Sequence, residues 1–150
     1  MICSCFGHRK LEITDELLNQ LYSIYEDLIT NKGFTHFYFG GYGEFDNVCY
    51  DTVKKLKQKY SQIKLIFVRP YYKDLQQEII DLYKKDYDDC IYLEPTNTFG
   101  KLAIIYRNYK IVDKSDFIIF YVTENNKSGS FKVFKYAKKL NKNYINLFWN

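Results

Sequence analysis

Three glycines fall within four positions, Gly40, Gly41 and Gly43 around Tyr42, directly after the aromatic run Phe37-Tyr38-Phe39, in a chain that has only seven. Glycine reaches φ > 0 and lets a ligand come close to the main chain. A turn of this kind that opens a helix also offers free N–H groups and a partial positive charge to an anion. Glu44, Phe45 and Asp46 follow at once. Two carboxylates would repel a phosphate set against them, but they suit ribose hydroxyls or helix capping. Asp46 is read as a sugar contact, with capping as the rival. A second turn, Lys127-Ser128-Gly129-Ser130-Phe131, carries no carboxylate. Its hydroxyls and N–H groups make the better phosphate cradle, and the rival reading is a serine N-cap.

The cations that could complete such a site are few, because Arg9, Arg69 and Arg107 are the only arginines. Arginine forks onto phosphate or carboxylate better than lysine does. Arg9 follows Gly7 and His8 at the end of a strand-like run, and Arg69 ends another. Arg107, with Asn108 beside it, lies inside a helical pattern, where the plainer reading is a surface ion pair with Asp113 or Glu124. Tyr42, Tyr71, Tyr72 and Tyr106 stand where a base could stack. Cys3, Cys5, Cys49 and Cys90 match neither zinc spacing nor a CxxC motif, and they read as reduced, mostly buried thiols. Neither a metal nor a cofactor is expected.

Short apolar runs alternate with helical patterns along the whole chain. Strands are predicted over 2–6, 35–40, 63–69, 89–94, 116–122 and 144–149, and helices over 14–31, 45–60, 74–86, 100–115 and 130–140. Thr14 is a plausible N-cap, followed by the stripe Leu17, Leu18, Leu21, Ile24, Tyr25 and Leu28. Val48, Cys49, Thr52, Val53 and Leu56 form the inward face of the second helix. Strict β-α alternation predicts a doubly wound α/β fold, a mainly parallel sheet with helices on both faces, in one domain over 1–150. In such sheets ligands bind beyond the carboxyl ends of the strands. The glycine turns and two of the three arginines fall there.

The net charge of +4 comes mostly from lysines, and clusters such as Lys54, Lys55, Lys57 and Lys59 read as a solvated helix face. With no interleaved arginine–aromatic patch, the sequence argues against nucleic acid as a partner. No apolar run approaches the roughly 20 residues of a membrane span, and the first ten residues are wrongly ordered for a signal peptide. A cytoplasmic protein with no membrane contact is expected.

The segments CFGHRK, FYFGGYGEFD, RNYKIVDKSDFIIFY and SG…YAKK, in this order, resemble the SLOG superfamily, and most nearly the short YpsA-like proteins of Firmicutes and their phages. The resemblance covers nearly the whole chain. It implies a Rossmann-like fold and company that includes LOG-type phosphoribohydrolases, DprA-like DNA-binding proteins and nucleotide-ligand sensors. It sets Phe39 to Gly43 on the first glycine turn of the LOG enzymes, and Arg107 on their helical arginine. The catalytic pattern PGGxGTxxE is reduced here to Asn126 to Val133, with one glycine, no proline and no glutamate. N-glycosidic cleavage needs a carboxylate near the ribose, which Glu44 or Asp46, with Arg107, would have to supply. The resemblance therefore implies a binder of an ADP-ribose or cyclic-ADP-ribose type ligand, a sensor or a phage sponge for an immune signal, that works as a homo-oligomer. The alternatives are a LOG-type hydrolase and a protein- or DNA-binding regulator with a vestigial pocket.

Overall fold

The computed structural model describes residues 1–70, 77–93, 100–124 and 128–149. Tyr71, Tyr72 and residues 95–98 and 125–127, which the sequence sets beside the site, lie outside the described residues. The elements are β1 (Ile2–Gly7), α1 (Asp15–Thr30), β2 (His36–Phe39), α2 (Glu44–Lys57), β3 (Lys64–Val68), α3 (Gln77–Asp86), β4 (Asp89–Ile91), α4 (Gly100–Lys114), β5 (Phe117–Tyr121), α5 (Gly129–Lys139) and β6 (Tyr144–Asn146), with a 3-10 turn over Leu147–Trp149. All pairings are parallel, in the order β4-β3-β2-β1-β5-β6. This is the expected Rossmann-like α/β sheet. The order reverses between β1 and β5, so the switch-point crevice opens beyond the ends of those two strands.

Side-chain alternation assigns the two faces. Cys3, Cys5, Phe37, Phe39, Leu65 and Ile119 pack with α1 and α2. Tyr38, Ile66, Val68, Ile118 and Phe120 point the other way, toward α4 and α5. Thr14 caps α1, its Oγ1 accepting from the Leu17 N–H at 3.1 Å. The buried stripe of α1 is Leu17, Leu21, Tyr25, Leu28 and Ile29. Leu18 turns outward instead, and Ile29 joins the stripe at the helix end. The abundance of tyrosine has a packing reason on the α2–α3 side. Tyr83 stacks on Phe67 with centroids 4.7 Å apart, and Tyr50 meets Tyr87 at 4.9 Å. Cys3, Cys5 and Cys49 are buried free thiols, and Cys90 is partly exposed.

The short β6 is tied to β5 by one side chain. The buried Asn146 accepts from the Val122 N–H through Oδ1 at 3.1 Å and donates Nδ2 to the Val122 carbonyl at 3.0 Å. The amide thus extends the ladder past the last strand residue, and neither group is left unpaired in the interior. Among the described residues, no helix is long and apolar enough to cross a membrane.

Candidate functional site

The loops leaving β1 and β2 form one unit. Glu44 donates its N–H to the Arg9 carbonyl at 2.8 Å, and Phe45 donates to that of His8 at 3.4 Å. The first N–H groups of α2, which the sequence offers to an anion, are therefore satisfied by the chain itself. Gly43, the N-cap of α2, has φ +97, a conformation side chains resist. Gly7 is required for another reason: a Cβ there would lie 2.5 Å from the Phe45 ring. Phe45 is fully buried and has no room to retreat. Gly7→Ala is expected to destabilise the fold by about 2 kcal/mol through overpacking, read as a lower urea midpoint with an unchanged m-value.

Asp46 turns inward. Its carboxylate accepts the N–H of Gly41 at 3.0 Å and that of Gly40 at 3.3 Å, which closes the glycine turn from below. Cys5 approaches the same carboxylate through Sγ at 3.8 Å. Burial pushes the Asp46 pKa up to about 6, against the opposing pull of the two backbone donors and the Arg107 charge. The Cys5 thiol is held well above its ordinary range, first by its hydrogen bond with Cys49 and then by burial. Glu44 instead faces solvent and accepts the Leu11 N–H at 2.7 Å. The two carboxylates of the loop thus point to opposite sides of the start of α2. Asp46 does not cap α2, whose N-cap is Gly43 with no side-chain cap hydrogen bond; its carboxylate holds the glycine turn instead.

Arg107 is not on the surface. Its helix position places it between Ala103 and Ile111 on the buried face of α4, and only 8% of it is exposed. Nη1 donates to the carbonyls of Gly40 at 3.0 Å and Val68 at 3.1 Å, and Nε donates to Asn108 Oδ1 at 3.0 Å. One guanidinium therefore ties the exits of β2 and β3 to α4. The surface-ion-pair reading is corrected on this point. A cleft of about 10 Å³ beside it, room for about one water, is lined by Arg69, Tyr92, Ala103, Arg107 and Lys110.

At the other end of the glycine turn, the Arg9 guanidinium lies over the Tyr42 ring at 4.3 Å, and both side chains are exposed. His8 spans the switch point: Nε2 accepts the Thr123 N–H at 3.1 Å, and the ring meets Tyr121 and Phe148 edge-on. Nothing in the sequence signalled this bridge, because its partners lie more than a hundred residues away. Ser128 caps α5, its Oγ accepting from Phe131 N–H at 3.4 Å and meeting Ser130 Oγ at 2.8 Å, with Gly129 exposed between them. Tyr106 is exposed on α4. Among the described residues, no group of three or more His, Cys, Asp or Glu could hold a metal ion.

No protein-family model and no curated protein matches this chain. Among solved structures it is similar to DNA processing protein A from Helicobacter pylori, known for a single-stranded DNA binding mode. The TM-score is 0.63 at 16% sequence identity, over 96% of this chain and 63% of that one. The chain thus spans less than two thirds of that protein. A likeness at this identity concerns the fold, and it agrees with the Rossmann-like architecture that the SLOG resemblance implies. It also corrects one expectation: a protein of this fold with a single-stranded DNA binding mode removes the ground for setting nucleic acid aside.

Proposed function

We propose that the protein binds a phosphate-bearing nucleotide at the carboxyl edge of its sheet and holds it without cleaving it. The observation that carries this reading is the gathering of all three arginines around the 40–43 loop. Arg107 bonds Gly40, Arg69 shares its crevice, and Arg9 covers Tyr42 at the far end. Arg69 and Lys110 supply charge for phosphate, and the Arg9–Tyr42 pair supplies a flat surface for a base. Asp46 acts as a positioning residue beneath the loop. With both its oxygens engaged by backbone N–H groups, it is poorly placed to activate water, which favours binding over hydrolysis. Within this reading, an ADP-ribose or cyclic-ADP-ribose type ligand suits a sensor, or a phage-encoded sponge for an immune signal. A second reading is favoured by the DNA processing protein likeness: the nucleotide held at this edge is one unit of single-stranded DNA.

Native mass spectrometry tests the reading with ADP-ribose, cyclic ADP-ribose, nucleoside monophosphates and a short oligodeoxynucleotide. A one-to-one complex with unchanged ligand is expected. Arg69→Ala or Arg9→Ala should weaken it by about ten- to a hundredfold, the worth of charged hydrogen bonds. Release of a free base would establish a hydrolase instead. Failure of every ligand to bind would end the proposal.

A further inference from the structure

Charge is distributed unevenly over this chain. Residues 100–142 hold ten Lys and Arg against three Asp and Glu, whereas the rest of the chain holds twelve against fifteen. The segment with the excess is the α4–α5 layer with β5 beneath it. On α5 the excess becomes a row. Lys132, Lys135, Lys138 and Lys139 are all exposed, while Phe131, Val133, Phe134 and Ala137 are buried. At a rise of 1.5 Å per residue the row covers roughly 10 Å. The helix itself contains no carboxylate.

This face differs in kind from the lysine-rich α2. There Lys57 pairs with Asp88, and just past the helix Lys59 pairs with Glu26 at 3.1 Å. Among the described residues no α5 lysine takes part in an ion pair. The ammonium of Lys135 lies 5.2 Å from the Phe131 ring centre, and that of Lys138 lies 5.4 Å from that of Phe134. Such contacts hold the stems along the helix while the charges face water. Rings border the row on both sides. Tyr136 meets Tyr109 of α4 with tilted rings, centroids 4.4 Å apart. Tyr144 of β6 meets Phe134 edge-on at 5.3 Å and is 37% exposed.

We propose that the α5 face docks single-stranded nucleic acid, the lysine row following the phosphates and Tyr144 offering its ring to a base. A row of cations beside exposed aromatic rings is the arrangement that binds a single strand without reading its sequence. An anionic membrane fits less well, since an interfacial helix needs a free apolar face and that of α5 is already spent on the core. The inference goes beyond the nucleotide reading above and shares no residue with it.

Fluorescence anisotropy with a labelled oligothymidylate tests it. For single strands, log K falls against log salt with a slope of about −0.7 per phosphate contacted, so four contacts weaken binding roughly fiftyfold between 50 and 200 mM salt. In K132Q/K135Q/K138Q/K139Q that salt response should disappear, with circular dichroism and melting unchanged because all four side chains are exposed. Tyr144→Ala should cost about tenfold at fixed salt. K54Q/K55Q on α2 should keep both affinity and slope. Should the quadruple variant fold poorly, Lys132→Glu and Lys139→Glu taken singly must each flatten the slope. Unchanged affinity and slope in the α5 variants would overturn the inference. An equal loss in K54Q/K55Q, or α5-dependent binding confined to phosphatidylserine vesicles, would do the same.

Discussion

Arg107→Ala is expected to lose about 3 kcal/mol of folding stability and to melt roughly 6 to 12 °C lower. The guanidinium serves two carbonyls, Gly40 and Val68, from the buried face of α4. Removing it strands acceptors at the exits of two strands, each costing about 1 to 3 kcal/mol where water cannot reach. Arg107→Met keeps most of the apolar volume and should rescue little, because the loss lies in donors and not in packing. Arg107→Lys should recover part, since an ammonium can donate but lacks the planar fork that spans both carbonyls. Urea unfolding of the three variants reads this directly. A loss under about 1 kcal/mol in the alanine variant would show that neither carbonyl depends on the guanidinium.

The second large effect concerns Asp46 and pH. Its pKa rises from 3.8 to about 6, with burial as the leading cause. A carboxyl group that holds its proton more tightly when folded stabilises the fold fully below its unfolded pKa, and this contribution is lost as pH rises through the folded value. The window therefore runs from about pH 4 to about pH 6, and the difference is about 3 kcal/mol. Stability of the native protein relative to Asp46→Asn should fall by that amount across the window and stay level above it. The Gly41 amide, which donates to the carboxylate, should shift in NMR spectra with a midpoint near 6. In Arg107→Ala the midpoint should move higher, because the Arg107 charge pulls it down. A midpoint below about 4.5 would mean that the two backbone donors outweigh burial.

The order and type of the eleven described helices and strands were legible in the sequence, because hydrophobic period changes between them, although the run read as a strand over 144–149 is a strand only to Asn146 and then a 3-10 turn. Thr14 and the inward face of α2 could be read from local spacing alone. The strand order could not, since nothing local tells β1 that its second neighbour is β5. The site was legible in its membership and less so in its orientation. Arg107 lies four residues from both Ala103 and Ile111, so spacing alone put it on an apolar stripe. The usual habit of mid-helix arginines outweighed that signal. Asp46 lies three residues before Cys49 and seven before Val53, both on the inward face of α2, so helical spacing pointed it inward. The closure of the α2 N-terminus by His8 and Arg9 depends on a close approach at Gly7, which tertiary packing alone reveals.

The pairing of β1 with β5 has a consequence for synthesis. Cys3 lies opposite Phe117 in the register, so the ribosome, at roughly 5 to 20 residues per second, takes about 6 to 23 seconds to deliver the partner. Until then β1 has one open flank, and His8 lacks the Thr123 N–H that anchors it. Strands β1 to β4, with the helices that cover one face, can assemble first, and the second layer must zip onto a waiting edge. The edge that carries β5 and β6 is thus completed last, and a translational pause ahead of residue 117 would lengthen the life of an intermediate whose central strand is open on one flank.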